Sequence, residues 1–311
     1  MRQLFRNLLL FGMATAVCVA CSKENDVTKQ EEQKKETSEN TTEEVKIVDG
    51  AITAVFSVSE TKKVYFSKGN LQYKANTNTW RFAENQYDAI GEDNKNISST
   101  YDGWIDLFGW GTSGWNSGAN AYQPYSISTE ISDYYPGGSE KNDLTGDYAN
   151  ADWGVYNTII GGGNKVGLWR TLSYNEWYYL LKNRKTADQL YGLAIINGIN
   201  GIVLLPDTWT QPQDVFFEKG ITKGYSQNIY SIDNWMIMEK NGAVFLPATG
   251  LRKGADITRI GVGGHYWSSS ANIQGIGSGC IVFQADLVEL NNIDNYSRCG
   301  GRAVRLVQDV K

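Results

Sequence analysis

The sequence predicts antiparallel β-structure joined by long loops, with one clear helix set among the strands. Three observations carry this. Between Gly242 and Val307 lie four short apolar runs, 242–252, 263–270, 279–283 and 299–307, each bounded by Gly, Asn or Ser. That is the pattern of an antiparallel meander. Residues 51–82 repeat it in strand-length pieces, and only the segment from Ser173 carries a full helix-start signal.

The chain begins with a targeting pattern. Arg2 and Arg6 precede an apolar run, Leu8 to Ala20, that is too short to span a bilayer comfortably. The sequence Cys18-Val19-Ala20-Cys21 resembles the cleavage and lipidation site of bacterial lipoproteins. The resemblance implies a signal peptide over 1–20, a diacylated Cys21 as mature N-terminus and a lipid anchor in the outer membrane. Two or more acyl chains hold a protein durably, whereas one holds it marginally. The alternative is an ordinary secretory signal in which Cys21 has no special role. The acidic cluster soon after Cys21 resembles the surface-export signals of Bacteroides-type lipoproteins, which implies display on the cell surface.

Residues 21–49 follow as a tether of Glu, Lys, Thr, Ser and Asn with few large apolar residues. Such a composition cannot bury enough surface to offset chain entropy, so disorder is expected. A flexible coil of this length spans roughly 30 Å root-mean-square, enough to hold a domain clear of a membrane. The remainder, 50–311, reads as one domain. The chain of 311 residues is 41% hydrophobic, which is enough apolar mass for a core, and its net charge of −5 argues against a nucleic-acid partner.

Four strands are expected first, at 52–58, 63–66, 70–73 and 79–82, separated by the turn residues of 67–69 and 75–78. Residues 85–165 mix Gly, Asn, Tyr and Trp without periodicity, and a loop of that length is functional or held by its own packing. Trp104, Trp110 and Trp115 lie within it beside glycines. They are the strongest ligand-binding candidates, because sugars stack on exposed indoles and Trp dominates binding hot spots. The alternative is that the three rings pack the loop against the sheet, which the neighbouring glycines suit.

Ser173 and Glu176 form a capping box at the start of the predicted helix 173–181. Trp177, Leu180 and Leu181 then share one face. Ile202 to Leu205 reads as a buried strand stopped by Pro206, and 207–240 as a second long excursion. Of four cysteines, Cys18 leaves with the signal and Cys21 takes the lipid. Cys280 and Cys299 remain in an oxidising compartment, and a disulfide between them is expected, against the alternative of two buried thiols. Such a bridge would contribute about 3 kcal/mol.

The run Leu168-Trp169-Arg170-Thr171-Leu172-Ser173-Tyr174-Asn175-Glu176-Trp177 resembles the W-R-L-P-T-x-x-E-W helix start of formylglycine-generating-enzyme-like proteins. Tyr266-Trp267-Ser268-Ser269-Ser270 and Gly301-Arg302-Ala303-Val304-Arg305-Leu306-Val307 are similar to segments of the Fibrobacter succinogenes major paralogous domain family. Together these motifs cover about 165–307, and the Gly-Trp-rich part before 165 matches more loosely. The resemblance implies an α+β, C-type-lectin-like domain with a twisted antiparallel sheet, few helices and long loops that carry the binding surface. Two departures limit what it implies about activity. Formylglycine-generating enzymes bind copper through a redox-active Cys pair, and Cys280 and Cys299 present no such motif. Calcium-dependent lectins pair a Glu-Pro-Asn-type loop with a Trp-Asn-Asp strand, where this chain has Gln211-Pro212-Gln213 and Trp267-Ser268-Ser269.

No catalytic residue is therefore expected, and no metal or other cofactor. His265 is the only histidine, and a triad with Ser268 or Ser270 fails because nearby strand residues alternate between faces. Gly161-Gly162-Gly163-Asn164-Lys165 lacks phosphate-loop spacing and reads as a turn. The Asp/Asn-rich stretches 88–96 and 291–295 lack calcium-loop spacing and read as solvated turns. A second candidate surface comprises Asn272, Gln274, Asn292, Asp294 and Tyr296 on the loops between the last strands, in the terminal region that lectin-like folds diversified by retroelements vary; the alternative is ordinary turns. The expected function is non-enzymatic recognition of a glycan or extracellular protein by a membrane-anchored chain. Alternatives are a structural subunit of an adhesive, fimbria-like assembly and an enzyme of the formylglycine-generating type.

Overall fold

A computed structural model describes residues 49–271, 277–291 and 297–311. They belong to one compact unit, 45–311. The architecture is mixed α+β, with short helices and open, mainly antiparallel sheets.

The strand that orders the rest is the last one. Leu306–Asp309 lies between Lys63–Phe66 on one side and Arg170–Thr171 on the other, with Phe56–Ser57 completing a four-stranded sheet. The two ends of the domain and the approach to the central helix are thereby hydrogen-bonded together. A second sheet runs Val244–Pro247, Ile199–Leu204, Tyr191–Ile196 and Ile229–Tyr230, the last pairing being parallel. Three-stranded sheets are formed by Thr79–Phe82 with Leu71–Lys74 and Trp104–Ile105, by Gly263–Ala271 with Ser278–Gln284 and Leu287–Asn291, and by Leu251–Lys253 with Asp256–Thr258 and Gly300–Gly301.

The expected single meander over the last third is thus divided among four sheets. The reason lies in which faces are apolar. Val244, Phe245, Leu246 and Pro247 are all buried, with Val244 and Leu246 in one core cluster and Phe245 in another. A strand apolar on both faces belongs between two packed layers, not on a half-solvated meander.

Three α-helices occur among the described residues: α1 (Trp153–Tyr156), α2 (Tyr174–Tyr178) and α3 (Ile232–Lys240). Helix α2 starts at the expected capping box and runs on as a π-helical turn, Tyr179–Asn183. Its Trp177, Leu180 and Leu181 enter the main core beside Phe56, Phe66, Tyr266 and Phe283. Helix α3 falls inside the stretch read as a loop excursion. Ser231 caps it by accepting the Asn234 amide at 3.3 Å.

A second core is aromatic. Trp80, Phe108, Trp110, Trp153, Trp169 and Trp267 cluster there with Leu71, Ile159 and Val304. Neighbouring rings lie 4.5 Å (Tyr73–Trp80), 5.4 Å (Trp80–Phe108) and 4.8 Å (Phe82–Trp169) apart at tilted or edge-on angles, the arrangement their quadrupoles favour.

Arginine side chains fix the surrounding loops from inside. Arg252, Arg298 and Arg305 are each at most 1% exposed, and none of them takes part in an ion pair among the described residues. Their guanidinium groups donate mainly to oxygens of distant segments. Arg252 Nη1 reaches Gly254 O at 2.7 Å and Nη2 reaches Leu107 O at 3.3 Å and Ser126 O at 3.4 Å. Arg298 Nε donates to Gly277 O at 2.9 Å and Nη2 to Glu140 O, while its plane covers the Trp110 ring at 4.2 Å. Arg305 Nη2 donates to Gln86 Oε1 at 2.5 Å, and Nη1 lies 3.4 Å from both Asn70 Oδ1 and Phe245 O. Gln86 relays outward, donating to Glu239 Oε1 at 2.9 Å and to Ala243 O at 3.0 Å and accepting the Phe245 amide at 2.8 Å. Burial lowers the pKa of all three arginines to about 10, so they stay charged at neutral pH.

Arg305→Ala should destabilise the domain by roughly 3–5 kcal/mol in urea unfolding, combining a side-chain-sized cavity with orphaned buried acceptors. Arg305→Lys should recover only part of this, because an ammonium cannot reproduce the guanidinium fork. An Arg305→Ala midpoint equal to wild type would remove the clamp role.

Candidate functional site

A surface site built on fixed charged groups surrounds α2. Arg170, on the strand leading into the helix, is held between two carboxylates. Its Nη1 and Nη2 grip Glu176 at 2.7 and 2.8 Å, and Nη2 meets Asp309 Oδ1 at 2.6 Å. Burial alone would lower the Arg170 pKa, but the hydrogen bonds to Asp309 and Glu176 outweigh it and raise the pKa. Glu176 closes the capping box, its Oε2 accepting Ser173 N at 2.8 Å while Ser173 Oγ accepts Glu176 N at 3.2 Å. One carboxylate thus fixes both the helix start and the arginine.

Two open clefts adjoin here, sharing Lys62, Ser173 and Glu176. The first, about 430 Å³, is walled by Ser59, Asn175, Tyr178, Tyr179 and Asn183. Tyr178 is 42% exposed while its neighbour Trp177 is buried, so the helix is anchored by one aromatic and offers the next to solvent. The second, about 320 Å³, runs over Thr145, Gly146, Ala149, Asp152, Thr171 and Ser269. Asp152 forms part of its floor. Its Oδ1 caps α1 by accepting Gly154 N at 2.9 Å, and its Oδ2 accepts Thr171 N at 2.8 Å. Burial pushes the Asp152 carboxyl up to about 6, with those two hydrogen bonds and the Arg170 charge opposing the rise.

Chemically, the paired clefts offer one exposed ammonium, side-chain amides, hydroxyls and an aromatic face. These are the groups that hold a polyol or a polar peptide. A separate open groove of about 620 Å³ lies between Tyr225, Val262, Gln284 and Asp286, with Tyr225 Oη donating to Val262 O at 2.9 Å. Its charged lining groups are Lys223, paired with Glu218 at 3.0 Å, and Asp286.

The residues singled out from sequence fare differently. Trp110 is not a ligand platform: it is fully buried, and its Nε1 donates to Ser268 O at 2.9 Å beneath Arg298. Trp115 is half-buried against the aromatic core. Trp104 is half-buried, and Arg81 covers its ring at 3.9 Å. The three indoles therefore do not assemble an open groove, because the glycines between them let the loop fold tightly onto the sheet.

The disulfide expected between Cys280 and Cys299 is not formed, and both are buried free thiols. They belong to different packing clusters: Cys280 lies opposite Trp267 in the aromatic core, and Cys299 packs with Ala121 and Tyr134. Burial pushes the Cys280 thiol up to about 12, so it stays protonated. Cys21, Asn272, Gln274, Asn292, Asp294 and Tyr296 lie outside the described residues.

His265 is buried, and burial together with Arg302 and Arg259 lowers its pKa to about 3. The nearby serine hydroxyls serve the backbone: Ser268 Oγ accepts Ser270 N, and Ser270 Oγ accepts the Tyr174 amide at 3.1 Å. Among the described residues, no group of three His, Cys, Asp or Glu side chains is placed to hold a metal ion. Sequence reasoning missed Lys62, Asp152 and Tyr178 as site residues. The capping box was the available signal, since it located the helix around which they gather.

Asp152 gives the site a pH signature. Its folded pKa, about 6, exceeds the usual carboxylate value of 3.8, so protonation favours the folded state. That contribution is complete below about pH 4 and is lost as pH rises through about 6. Asp152→Asn cannot lose it, so the variant's deficit relative to wild type should be larger at pH 4.5 than at pH 7.5, by about 2 kcal/mol, since part of the contribution is already gone at pH 4.5. Paired urea titrations at the two pH values measure this, and equal deficits would contradict it.

Comparison of the chain with family models, curated proteins and solved structures returned no match.

Proposed function

We propose that this chain is a non-enzymatic recognition lipoprotein of the outer membrane, anchored through Cys21. Its domain, which we read as C-type-lectin-like, would bind a glycan or an extracellular protein. Of the two we favour a neutral glycan. The observation that carries this reading is the pair of adjoining clefts on α2, where an exposed Tyr178, the amides of Asn175 and Asn183 and the Lys62 ammonium converge on fixed backbone.

Electrostatics favour an uncharged ligand. Arg170 is already neutralised by Glu176 and Asp309, and the lining of the second cleft adds one group of each sign, the Lys62 ammonium and the Asp152 carboxyl. A pyranose meets such a surface with C–H faces for the ring and hydroxyls for the amides. The protonated, buried Cys280 speaks against thiolate chemistry of the formylglycine-generating kind.

Two measurements test the halves of the proposal separately. Cells making the full chain should incorporate a labelled fatty acid into it, and Cys21→Ser should abolish the label; an unlabelled wild type would sink the anchor. A glycan array probed with the purified full chain should show binding that falls about tenfold or more in Tyr178→Ala and Asn175→Ala. Binding unchanged in both variants would move the site elsewhere, and silence across the array would remove the glycan reading.

A further inference from the structure

Helix α3 is unusual in being apolar on the side that faces water. Trp235 and Met238 are buried and join Ala243 and Phe245 in a third core cluster. The opposite side carries Asp233, Met236, Ile237 and Lys240. Their spacing of i, i+3, i+4 and i+7 places them in one stripe along the helix. Met236 is 59% exposed and Ile237 40%, with Ile232 beside them at 44%. The strand entering the helix adds Ile229, 66% exposed at an open edge of its sheet.

Asp233 and Lys240 stand at the two ends of this stripe. Both are exposed, and neither forms an ion pair among the described residues. Seven residues of helix separate them by about 10.5 Å along the axis, too far to pair with each other. The stripe therefore reads acid, apolar, apolar, base, and that order is complementary to itself when reversed. A two-fold axis passing between positions 236 and 237 sets Met236 of one copy on Ile237 of a second. The same operation sets Asp233 opposite Lys240, twice. A parallel arrangement would instead oppose Asp233 to Asp233 and Lys240 to Lys240.

We propose that α3 is the contact through which two copies of this chain associate, antiparallel about a two-fold axis at Met236 and Ile237. Such an isologous contact closes on itself and yields a dimer. A nine-residue helix spans about 13.5 Å, so the contact is smaller than a standard specific interface and the dimer is weak. Its population rises by mass action wherever copies are concentrated. The contact is independent of whatever the clefts on α2 bind.

Sedimentation velocity of the full chain across a concentration series tests it. Wild type should shift reversibly from monomer to dimer, and Met236→Asp should remain monomeric with an unchanged circular dichroism spectrum. Asp233→Lys and Lys240→Asp should each weaken the dimer about tenfold, since each turns two attractive pairs into repulsive ones. The double variant Asp233→Lys/Lys240→Asp should return to wild-type affinity, because only the antiparallel register rebuilds both pairs. A wild type that stays monomeric throughout, including one whose stripe is covered by a different protein, overturns the proposal. So does a double variant no better than the single ones.

Discussion

The structure depends on buried guanidinium groups bonded to carbonyl and amide oxygens. Arg252, Arg298 and Arg305 each sit in the interior, without an ion-pair partner among the described residues, and each reach segments far away in sequence. Long loops expose backbone polar groups that a sheet would otherwise satisfy, and burying those groups unpaired is costly. A planar cation with five donors can serve several such acceptors at once. That is how this chain covers a core with loops at 107, 126, 140 and 277 that have little regular structure of their own. The flat faces of the same groups also pack on rings, Arg298 on Trp110 and Arg302 on Trp267, so the loops are bound to the aromatic core as well as to each other.

This arrangement explains which parts of the fold were readable in the sequence. Strands 63–66 and 79–82 and the start of α2 appear where local chemistry places them, because β-branched and aromatic alternation and a capping box act over a few residues. Partner choice among strands is not local. Leu306–Asp309 joins Lys63–Phe66 across most of the domain, and nothing in either run names the other. The same limit applies to Trp110. Its glycine-flanked position fits both a displayed ring and a packed one, and only Arg298 and the Ser268 carbonyl, remote in sequence, decide for packing. The cysteines failed for a related reason: an oxidising compartment argues for a bridge, while Cys280 and Cys299 are drawn into separate clusters by packing that neither position announces.

Helix α3 was hidden by its outer stripe. Periodicity identifies a helix when one side is apolar and the other polar. Here Trp235 and Met238 face in while Met236 and Ile237 face out, so the apolar residues run together as 235–238 and the period is lost. The loss is informative in itself. A surface helix that keeps two large apolar side chains in water, bracketed by opposite charges, departs from the local consistency expected of a solvated face.

The clefts on α2 differ from loop-borne binding surfaces in what holds them. Glu176 is fixed at once by the Ser173 amide and by Arg170, Arg170 is fixed by Asp309 on the last strand, and Asp152 joins α1 to the Thr171 amide. These bonds are already formed in the free chain, so a ligand of the kind proposed would require little ordering on binding. The cost falls on the carboxyls that are buried to build the framework: Asp152, like Asp106, carries a pKa raised to about 6 by loss of solvent. Their desolvation is tolerated because each accepts backbone or amide hydrogens from the segments it joins, Asp106 from Ile90 and Asn94, Asp152 from Gly154 and Thr171. A framework assembled this way keeps its cleft geometry fixed while Tyr178 and Lys62 stand exposed along the wall, which is the division of labour that the proposed recognition role would use.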